Sequence, residues 1–336
     1  MANLIALLVA RTARLGSEVR NKGLTACGKR LTAYTSAGAH GCIAQAMNVS
    51  GLGTEALRMV PVNAHYQIDV GALERAIAAD REAGFTPFFI AATAGTVDVG
   101  AIDDLAAIAA CARREGLWFH VDGAYGALAM LSPDIASRLA GIELADSIAM
   151  DFHKWGQVPY DAGFVLVRDG AIQLETFGSA AAYLRRDTRG LAAGSPWPGD
   201  FGPDLSRGFR ALKTWFTLKV HGADKLGAMI SRTCALARYM QQRIEVEPAL
   251  ELLAPVSLNI VCFRYCAEDA DRVNADIVAD LHELGIAAPS TTTVKGQLAI
   301  RAAIVNHRTS AKDIDALIAA TLAFGAAKCK KQQRTR

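Results

Sequence analysis

The sequence lacks several features that mark membrane, nucleic-acid-binding and metal-binding proteins. No apolar run approaches the roughly 20 residues that a membrane-spanning helix needs. The formal net charge is only +3 in 336 residues, which is too small to indicate a nucleic-acid partner. The seven cysteines have no metal-ligand spacing, so we predict reduced thiols and no metal site. These absences favour a cytoplasmic protein with neither a membrane nor a nucleic-acid partner.

The two ends of the chain do not change this interpretation. Residues 3–10 are apolar, but no basic segment precedes them, and Arg11 and Arg14 follow at helical spacing. We therefore predict a buried helix rather than a secretion signal. Residues 328–336 are rich in Lys and Arg, and we predict that they form a basic, solvated tail.

Strand-like and helical segments alternate in the first half of the chain. We predict strands at 31–35, 58–62, 87–93, 118–122, 147–150 and 163–168, separated by helices at 3–20, 41–48, 70–83, 102–115 and 133–139. This alternation predicts an α/β domain with a mostly parallel sheet and helices on both faces. Ligands bind such sheets at the carboxyl ends of the strands. Thr93, Asp122 and Lys154 fall at or just past such ends.

The second half of the chain has a different pattern. Residues 178–204 are rich in Gly, Pro and Ala, which predicts a long mobile loop. A long helix or helix pair at 206–243 should follow, then a strand at 259–265, a helix at 270–284, a strand at 297–305 and a helix at 311–324. We therefore predict a large domain at 1–205, a smaller α+β domain with its linking helix at 206–327, and the tail at 328–336.

Two segments carry residues with specific chemistry. They are His120-Val121-Asp122-Gly123-Ala124-Tyr125 and Asp151-Phe152-His153-Lys154-Trp155. An aspartate at the end of one strand and a lysine just past a later strand are what pyridoxal 5'-phosphate (PLP) needs. The lysine forms a Schiff base with the cofactor aldehyde, and the aspartate keeps the pyridine nitrogen protonated so that the ring accepts electrons.

Together with other motifs, these segments resemble the PLP-dependent group II amino-acid decarboxylases almost from end to end. The further motifs are Ala39-His40, Ala92-Thr93-Ala94-Gly95-Thr96, Pro159-Tyr160-Asp161-Ala162-Gly163, Arg207-Gly208-Phe209-Arg210-Ala211-Leu212-Lys213 and Asn306-His307-Arg308-Thr309. The resemblance implies an aspartate-aminotransferase-like large domain of fold type I and a homodimer. It also implies decarboxylation of an L-amino acid to an amine and CO₂.

The resemblance assigns roles around the cofactor ring. Lys154 is similar to the Schiff-base lysine, and Asp122 is similar to the partner of the ring nitrogen. His40 matches the histidine that stacks on the ring, with Ala124 against the opposite face. Simpler alternatives stay open: a surface lysine, an aspartate that caps a helix, and a histidine with a structural role.

Further positions match the family around the rest of the ligand. Thr93 matches a hydroxyl beside the ring, and His153 matches a residue near the phosphate. Arg301 matches an arginine that holds the substrate's α-carboxylate, with Arg308 as the alternative, because a guanidinium can clamp a carboxylate with two hydrogen bonds. The competing interpretations are a simple strand-end hydroxyl for Thr93, a histidine that supports the turn for His153, and an interdomain ion pair for Arg301.

The proton donor for the reaction differs from the family pattern. In many relatives a tyrosine on the mobile loop protonates the product carbon, but residues 191–207 contain no tyrosine. Tyr183, at the start of the loop, and Tyr160, just after the lysine, are the candidates.

The start of the sequence also departs from the family. Relatives have a Thr-Ser-Gly-Gly-(Ser/Thr) turn before the first helix, where backbone N–H groups hold the cofactor phosphate, whereas this sequence begins at Met1-Ala2-Asn3-Leu4. An internal methionine of a longer product, a fragment and a truncated protein are the open explanations. We expect weak cofactor retention, since each lost charge-assisted bond costs about 1.5–3 kcal/mol. Another PLP-dependent carbon–carbon lyase and a non-catalytic family member are the alternative functions.

Overall fold

The first half of the chain folds around a six-stranded, mostly parallel sheet. The structure is a computed structural model that describes residues 1–178, 187–190, 193–194 and 196–335, with side chains up to residue 330. The strands are β1 (Leu31–Ser36), β2 (Leu57–Val60), β3 (Thr86–Thr93), β4 (Trp118–Asp122), β5 (Ser147–Asp151) and β6 (Gly163–Val167). Their order is β2-β1-β3-β4-β5-β6, and only β6 runs antiparallel to its neighbour among these described strands.

Helices cover both faces of this sheet. They are α1 (Ala2–Leu15), α2 (Val19–Lys22), α3 (Cys42–Val49), α4 (Val70–Glu82), α5 (Leu105–Glu115) and α6 (Gly170–Phe177). The central strand β3 is almost entirely buried. Ile90 packs in the core on the side of α4 and α5, whereas the preceding residue, Phe89, packs with α1 and α3 on the opposite side. A strand buried on both faces reads as a continuous apolar run, as parallel strands do.

Capping residues explain where several of these helices begin and end. Asp69 and Asp104 precede α4 and α5, and their carboxylates accept the backbone N–H groups of Ala72 and Ala107. Such caps satisfy amides that have no partner within the helix. The first helix ends at Leu15, because Gly16 adopts a φ of 83°, which a helix cannot continue.

The second half contains a long helix and a separate antiparallel sheet. These elements are α7 (Arg210–Glu245), β7 (Leu250–Leu252), β8 (Ile260–Tyr265), α8 (Ala270–Glu283), β9 (Ser290–Val294), β10 (Gln297–Ala303) and α9 (Ala311–Thr335). The sheet order is β7-β8-β10-β9. Gly222 has a φ of 73° and interrupts α7, so the predicted helix pair is present as two segments that meet at a kink. Phe263 of β8 and Ile277 of α8 belong to the core of this half.

The predicted fold class is confirmed, and the differences lie in short elements. The predicted helix at 133–139 is wrong: the segment contains a 3₁₀ turn, Ala136–Leu139. The elements α6, β7 and β9 have no counterpart among the predicted ones, and the last helix, predicted to end at residue 324, continues to Thr335 as α9. The predicted loop at 178–204 lies partly outside the described residues, so its mobility stays a prediction, as do the domain boundaries.

The structure also bears on the cysteines and on membrane spans. All seven cysteines are unpaired. Across the residues that are described, no group of three or more His, Cys, Asp or Glu side chains is arranged to hold a metal ion. In the same part of the chain, none of the helices combines the length and the apolar composition that crossing a membrane requires.

Candidate active site

A cavity of about 1020 Å³ lies at the carboxyl ends of the central strands and extends to the second sheet. Thr93 ends β3 and Asp122 ends β4, and the two are Cα partners in the parallel register. Lys154 follows the end of β5, the next strand in the sheet. The residues predicted to contact the cofactor or the substrate carboxylate all line this cavity: His40, Thr93, Asp122, Ala124, His153, Lys154, Arg301 and the alternative Arg308. Their location together is a finding, whereas their roles stay predictions.

Asp122 lies within a group of polar contacts that we call the Asp122 cluster, formed by Asn3, Cys42, His120, Asp122 and Ala124. The carboxylate is 5% exposed. Its Oδ1 accepts the backbone N–H of Ala124 at 3.1 Å. Its Oδ2 accepts from Asn3 Nδ2 at 3.3 Å and from Cys42 Sγ at 3.6 Å. In all three contacts an oxygen of the carboxyl group is the acceptor.

Burial determines the protonation of the other titratable members of the cluster. His120 is fully buried, and this desolvation lowers its pKa to about 4, although the charge of Asp122 acts in the opposite direction. Burial, reinforced by Asp122, raises the pKa of the Cys42 thiol to about 11. Near neutral pH the imidazole is therefore uncharged and the thiol keeps its proton.

Lys154 lies in a tight loop, residues 151–162, that we call the Lys154 turn. Its Nζ is 2.8 Å from Asp151 Oδ2, and the lysine side chain is 34% exposed. The backbone N–H of Phe152 donates to the Ala162 carbonyl at 2.9 Å, which closes the turn. The Ala162 N–H donates in return to His153 Nδ1 at 3.0 Å, so the histidine ring has a fixed orientation.

A segment after β10 contacts the Lys154 turn. Gln157 Nε2 donates to the Val305 carbonyl at 3.1 Å, and its Oε1 lies 3.0 Å from His307 Nδ1. On the open side of the turn, the ring of Tyr160 packs against His153 at 4.2 Å between centroids, and Tyr160 is 77% exposed. The second sheet therefore supplies part of the cavity wall next to the lysine.

The two candidate carboxylate-binding arginines differ in how many donors they have left. Arg301 Nε donates to the carbonyls of Val97 at 2.9 Å and Asp98 at 3.1 Å, which joins β10 to the loop after β3. Its Nη1 donates to Ser290 Oγ at 3.4 Å. Within the described part of the chain, the Arg308 guanidinium has no hydrogen bond or ion pair. Both side chains line the cavity.

His40 and Thr93 are held by their neighbours at the edge of the cavity. His40 Nδ1 accepts the backbone N–H of Cys42 at 3.0 Å, although the residue itself is exposed. The Thr93 backbone N–H donates to Asp103 Oδ2 at 2.7 Å, which fixes the end of β3. A buried carboxylate thus anchors the strand end that carries the hydroxyl.

Several residues that contact the predicted ones were not predicted themselves. Asp151 belongs to the motif Asp151-Phe152-His153-Lys154-Trp155, and a carboxylate three positions before a lysine is a signal that could have identified it. Asn3 has no comparable signal, because its segment predicts only the start of a helix that follows the missing phosphate turn. Of the two tyrosines considered as proton donors, Tyr160 lines the cavity, whereas Tyr183 lies outside the described residues.

Comparison with known proteins gives consistent results. The chain is 34% identical over 320 residues to the aromatic-L-amino-acid decarboxylase of Bacillus atrophaeus, a match that covers 94% of this chain and 65% of the relative. Its fold is similar to a crystal structure of the glutamate decarboxylase domain of diaminobutyrate-pyruvate transaminase and L-2,4-diaminobutyrate decarboxylase from Vibrio parahaemolyticus. That comparison has a TM-score of 0.84 at 31% identity and covers 97% of this chain and 66% of the other.

A second solved structure and a family profile extend the comparison. Oryza sativa TDC, solved with PLP and tryptamine, has a TM-score of 0.88 at 26% identity, covering 98% of this chain and 69% of the other. The chain thus spans about two thirds of the length of these relatives. The profile of the pyridoxal-dependent decarboxylase conserved domain matches residues 1–266. On these matches, the chain belongs to the pyridoxal-dependent decarboxylase family.

Proposed function

We propose that this chain carries the PLP site of an amino-acid decarboxylase. The observation that carries the proposal is that Lys154 and Asp122, a primary amine and a buried carboxylate, line one cavity. The reaction would take an L-amino acid and one proton to the corresponding amine and CO₂. Because a 34% identical relative is an aromatic-L-amino-acid decarboxylase, aromatic amino acids are the first substrates that we propose.

The residues present fit PLP. Ligand cavities for small molecules range over roughly 300–1,000 Å³, and this cavity of about 1020 Å³ leaves room for a cofactor with a substrate. PLP needs an amine for its aldehyde, a carboxylate for its ring nitrogen and flat contacts for its ring. In the proposal, Lys154 supplies the amine and Asp122 the carboxylate, and His40 and Ala124 contact the two faces of the ring.

Five residues of the chain would have separate roles around the bound cofactor. When bound, PLP would supply a ring that accepts the electrons left by the departing carboxyl group. Asp122 would hold the proton on the ring nitrogen, because its negative charge acts across a poorly solvated space. Lys154 would hold the cofactor covalently, and Asp151 would keep the amine at the turn. Thr93 would contact the ring and His153 the region of the phosphate.

The substrate's α-carboxylate needs a cationic partner, and Arg301 remains our first proposal. Its Nε contacts to the Val97 and Asp98 carbonyls and its Nη1 contact to Ser290 Oγ fix the guanidinium, and they do not use Nη2. Arg308 is the competing proposal, since it has more free donors. An arginine that binds the ground-state carboxylate should affect KM more than kcat when it is replaced.

The product carbon also needs a proton. Tyr160 is the proposed donor among the described residues, because its phenol lies at the cavity beside His153. A different carbon–carbon lyase activity, or a family member without catalysis, remains the alternative. The products distinguish them: CO₂ with an amine supports the decarboxylase, and an aldehyde supports the lyase.

The test combines chemical trapping with a substrate panel. The protein is incubated with PLP, reduced with borohydride and digested, and each amino acid of the panel is assayed for CO₂, amine and aldehyde. We expect the reduced cofactor on the peptide that contains Lys154, and CO₂ with an amine from at least one aromatic amino acid. Lys154→Arg keeps the positive charge beside Asp151 and should abolish both. Labelling of other lysines alone, with no CO₂ from any substrate, would contradict the proposal.

Assembly and location belong to the same proposal. The resemblance implies a homodimer with sites near the subunit interface, and the thiol composition suits the cytoplasm. Sedimentation of the purified protein, with and without PLP, tests the first. We expect a dimer in the presence of PLP.

A further inference from the structure

A continuous series of side-chain hydrogen bonds runs from the interior of the large sheet to Asp122. Trp118 Nε1 donates to Ser147 Oγ at 2.8 Å. His120 Nδ1 lies 2.8 Å from the same oxygen, and His120 Nε2 lies 2.8 Å from Asn3 Oδ1. Asn3 Nδ2 then donates to Asp122 Oδ2 at 3.3 Å. The series joins β4, β5 and α1, and His120 and Ser147 are both fully buried.

The chemistry at the two ends determines the direction of every bond between them. An indole nitrogen only donates, and an ionised carboxylate only accepts. Asn3 must therefore turn its amide nitrogen toward Asp122, and its amide oxygen toward His120. That oxygen needs a donor, which places the imidazole proton on Nε2.

The middle of the series agrees with the direction set by the ends. Because burial keeps His120 neutral, a proton on Nε2 leaves Nδ1 bare. Ser147 Oγ accepts from Trp118, and its own O–H is then the donor for Nδ1. Each of the four bonds has one donor and one acceptor, and none is left without its complement.

We propose that Trp118, Ser147, His120 and Asn3 form a one-way relay that holds the Asn3 amide nitrogen toward Asp122. The proton on His120 Nε2 and the acceptor oxygen of Asp122 favour the same orientation of the amide, because the reverse orientation would set the Asn3 oxygen against the Asp122 oxygen. The relay would therefore keep a hydrogen-bond donor on Asp122 Oδ2 at the cavity. These four residues are positioning residues, because they act on the ligand only through Asp122.

The proposal rests on the proposed function only for the identity of the ligand. The direction of the relay is a property of the protein without PLP, so it is tested separately. Protein with ¹⁵N-labelled histidine is examined by NMR at pH 7 in the absence of PLP, and the His120 signals are assigned by their loss in His120→Gln. We expect Nε2 to be protonated and Nδ1 to be bare. A proton on Nδ1, alone or together with Nε2, would overturn the relay.

Ser147→Ala tests whether the far end of the relay matters. The change removes the donor to Nδ1 but leaves the Nε2 contact to Asn3 in place. We expect Nε2 to stay protonated and only the ¹⁵N signal of the bare Nδ1 to shift, because Nδ1 loses its hydrogen-bond donor. An unchanged Nδ1 signal in this variant would mean that Trp118 and Ser147 are not part of the relay.

A matched pair of variants connects the relay to the ligand. His120→Gln retains an N–H donor for Asn3, whereas His120→Met has similar size and no donor. Loss of one buried donor should weaken PLP binding about tenfold in His120→Met, and His120→Gln should stay within about threefold of the unaltered protein. Thermal melting curves check that both variants fold.

The outcomes separate this proposal from the proposed function. Equal PLP affinity in the two His120 variants would overturn the link from the relay to the ligand. If the unaltered protein binds no PLP, the proposed function fails, and the relay is then decided by the imidazole spectra alone.

Discussion

The Asp122 cluster and the Lys154 turn line the same cavity, yet they are held in different ways. Asp122 is 5% exposed and accepts hydrogen bonds from α1, from α3 and from its own backbone turn. Lys154 is 34% exposed, and its amine pairs with Asp151 of the same short turn. One group is fixed by elements far apart in the sequence, and the other is fixed locally.

This difference suits the two proposed roles. A carboxylate that only needs to face a ring nitrogen gains from a fixed position, because any displacement weakens its electrostatic effect in a poorly solvated site. An amine that must form and release a covalent bond needs room to move. Few long-range contacts and partial exposure are what a movable group has.

The largest expected effect tests the two carboxylates against each other. Asp122→Asn and Asp151→Asn are the same isosteric change on the two sides of the cavity. Asp122→Asn should lower kcat about 100-fold, because it removes a buried charge and turns N–H donors toward Asn3. Asp151→Asn should lower kcat only about tenfold, since its partner Lys154 is partly screened by solvent. Steady-state kinetics at saturating PLP measure both.

Asp122→Glu serves as the control for this comparison. It keeps the charge but lengthens the side chain, so activity should fall between those of the unaltered protein and Asp122→Asn. If Asp151→Asn proves as harmful as Asp122→Asn, the contrast between a fixed Asp122 cluster and a movable Lys154 turn is wrong.

Two glycines test directly how rigid the Asp122 cluster and the Lys154 turn are. A Cβ at Gly126, just past the Asp122 cluster, would lie 2.5 Å from the Ala94 carbonyl oxygen at the end of β3. A Cβ at Gly156, in the Lys154 turn, would lie 2.6 Å from the Phe152 carbonyl oxygen of the same turn. Gly126→Ala should lower the free energy of unfolding by about 2 kcal/mol and Gly156→Ala by about 1 kcal/mol, because a local turn can shift more easily than a strand end.

Gly170→Ala provides the neutral reference for these two changes, because a Cβ there meets nothing within 4 Å. Urea unfolding of the three variants measures the differences. A larger loss of unfolding free energy for Gly156→Ala than for Gly126→Ala would mean that the Lys154 turn is the more rigid of the two regions.

The part of the site that could be predicted follows from sheet topology. Thr93 and Asp122 end neighbouring parallel strands, and residues at such ends meet at one edge. Periodicity located these strands, and the motif around Lys154 located the turn after β5. Asn3 could not be found this way, because its contact to Asp122 spans 119 positions and depends on how α1 packs over the sheet.

The differences between the predicted and the observed elements also have local causes. The strand β9 contains three consecutive threonines, Thr291 to Thr293, and lies at the edge of its sheet, where pairing with β10 rather than apolar alternation determines the conformation. The helix α6 is only eight residues long, although Asp169 caps it by accepting the Ala171 N–H. The segment before residue 139 forms 3₁₀ turns because Pro133 and short apolar stretches leave no continuous helical face.

The smallest expected effect is a pH dependence of stability, and it arises from His120 in the Asp122 cluster. Burial lowers the pKa of His120 from 6.5 to about 4, even though Asp122 opposes the shift. Between these values the unfolded chain binds a proton that the folded chain does not, so the contribution of His120 to stability is complete above about pH 6.5 and is lost as the pH falls toward 4. Between pH 7 and pH 5.5 the unaltered protein should lose about 1 kcal/mol more free energy of unfolding than His120→Gln, which cannot titrate. Urea unfolding at both pH values measures this difference, and His65→Gln, a change at an exposed histidine, should leave it as in the unaltered protein. Equal pH dependence in the unaltered protein and His120→Gln would mean that His120 is not held as a neutral residue behind Asp122.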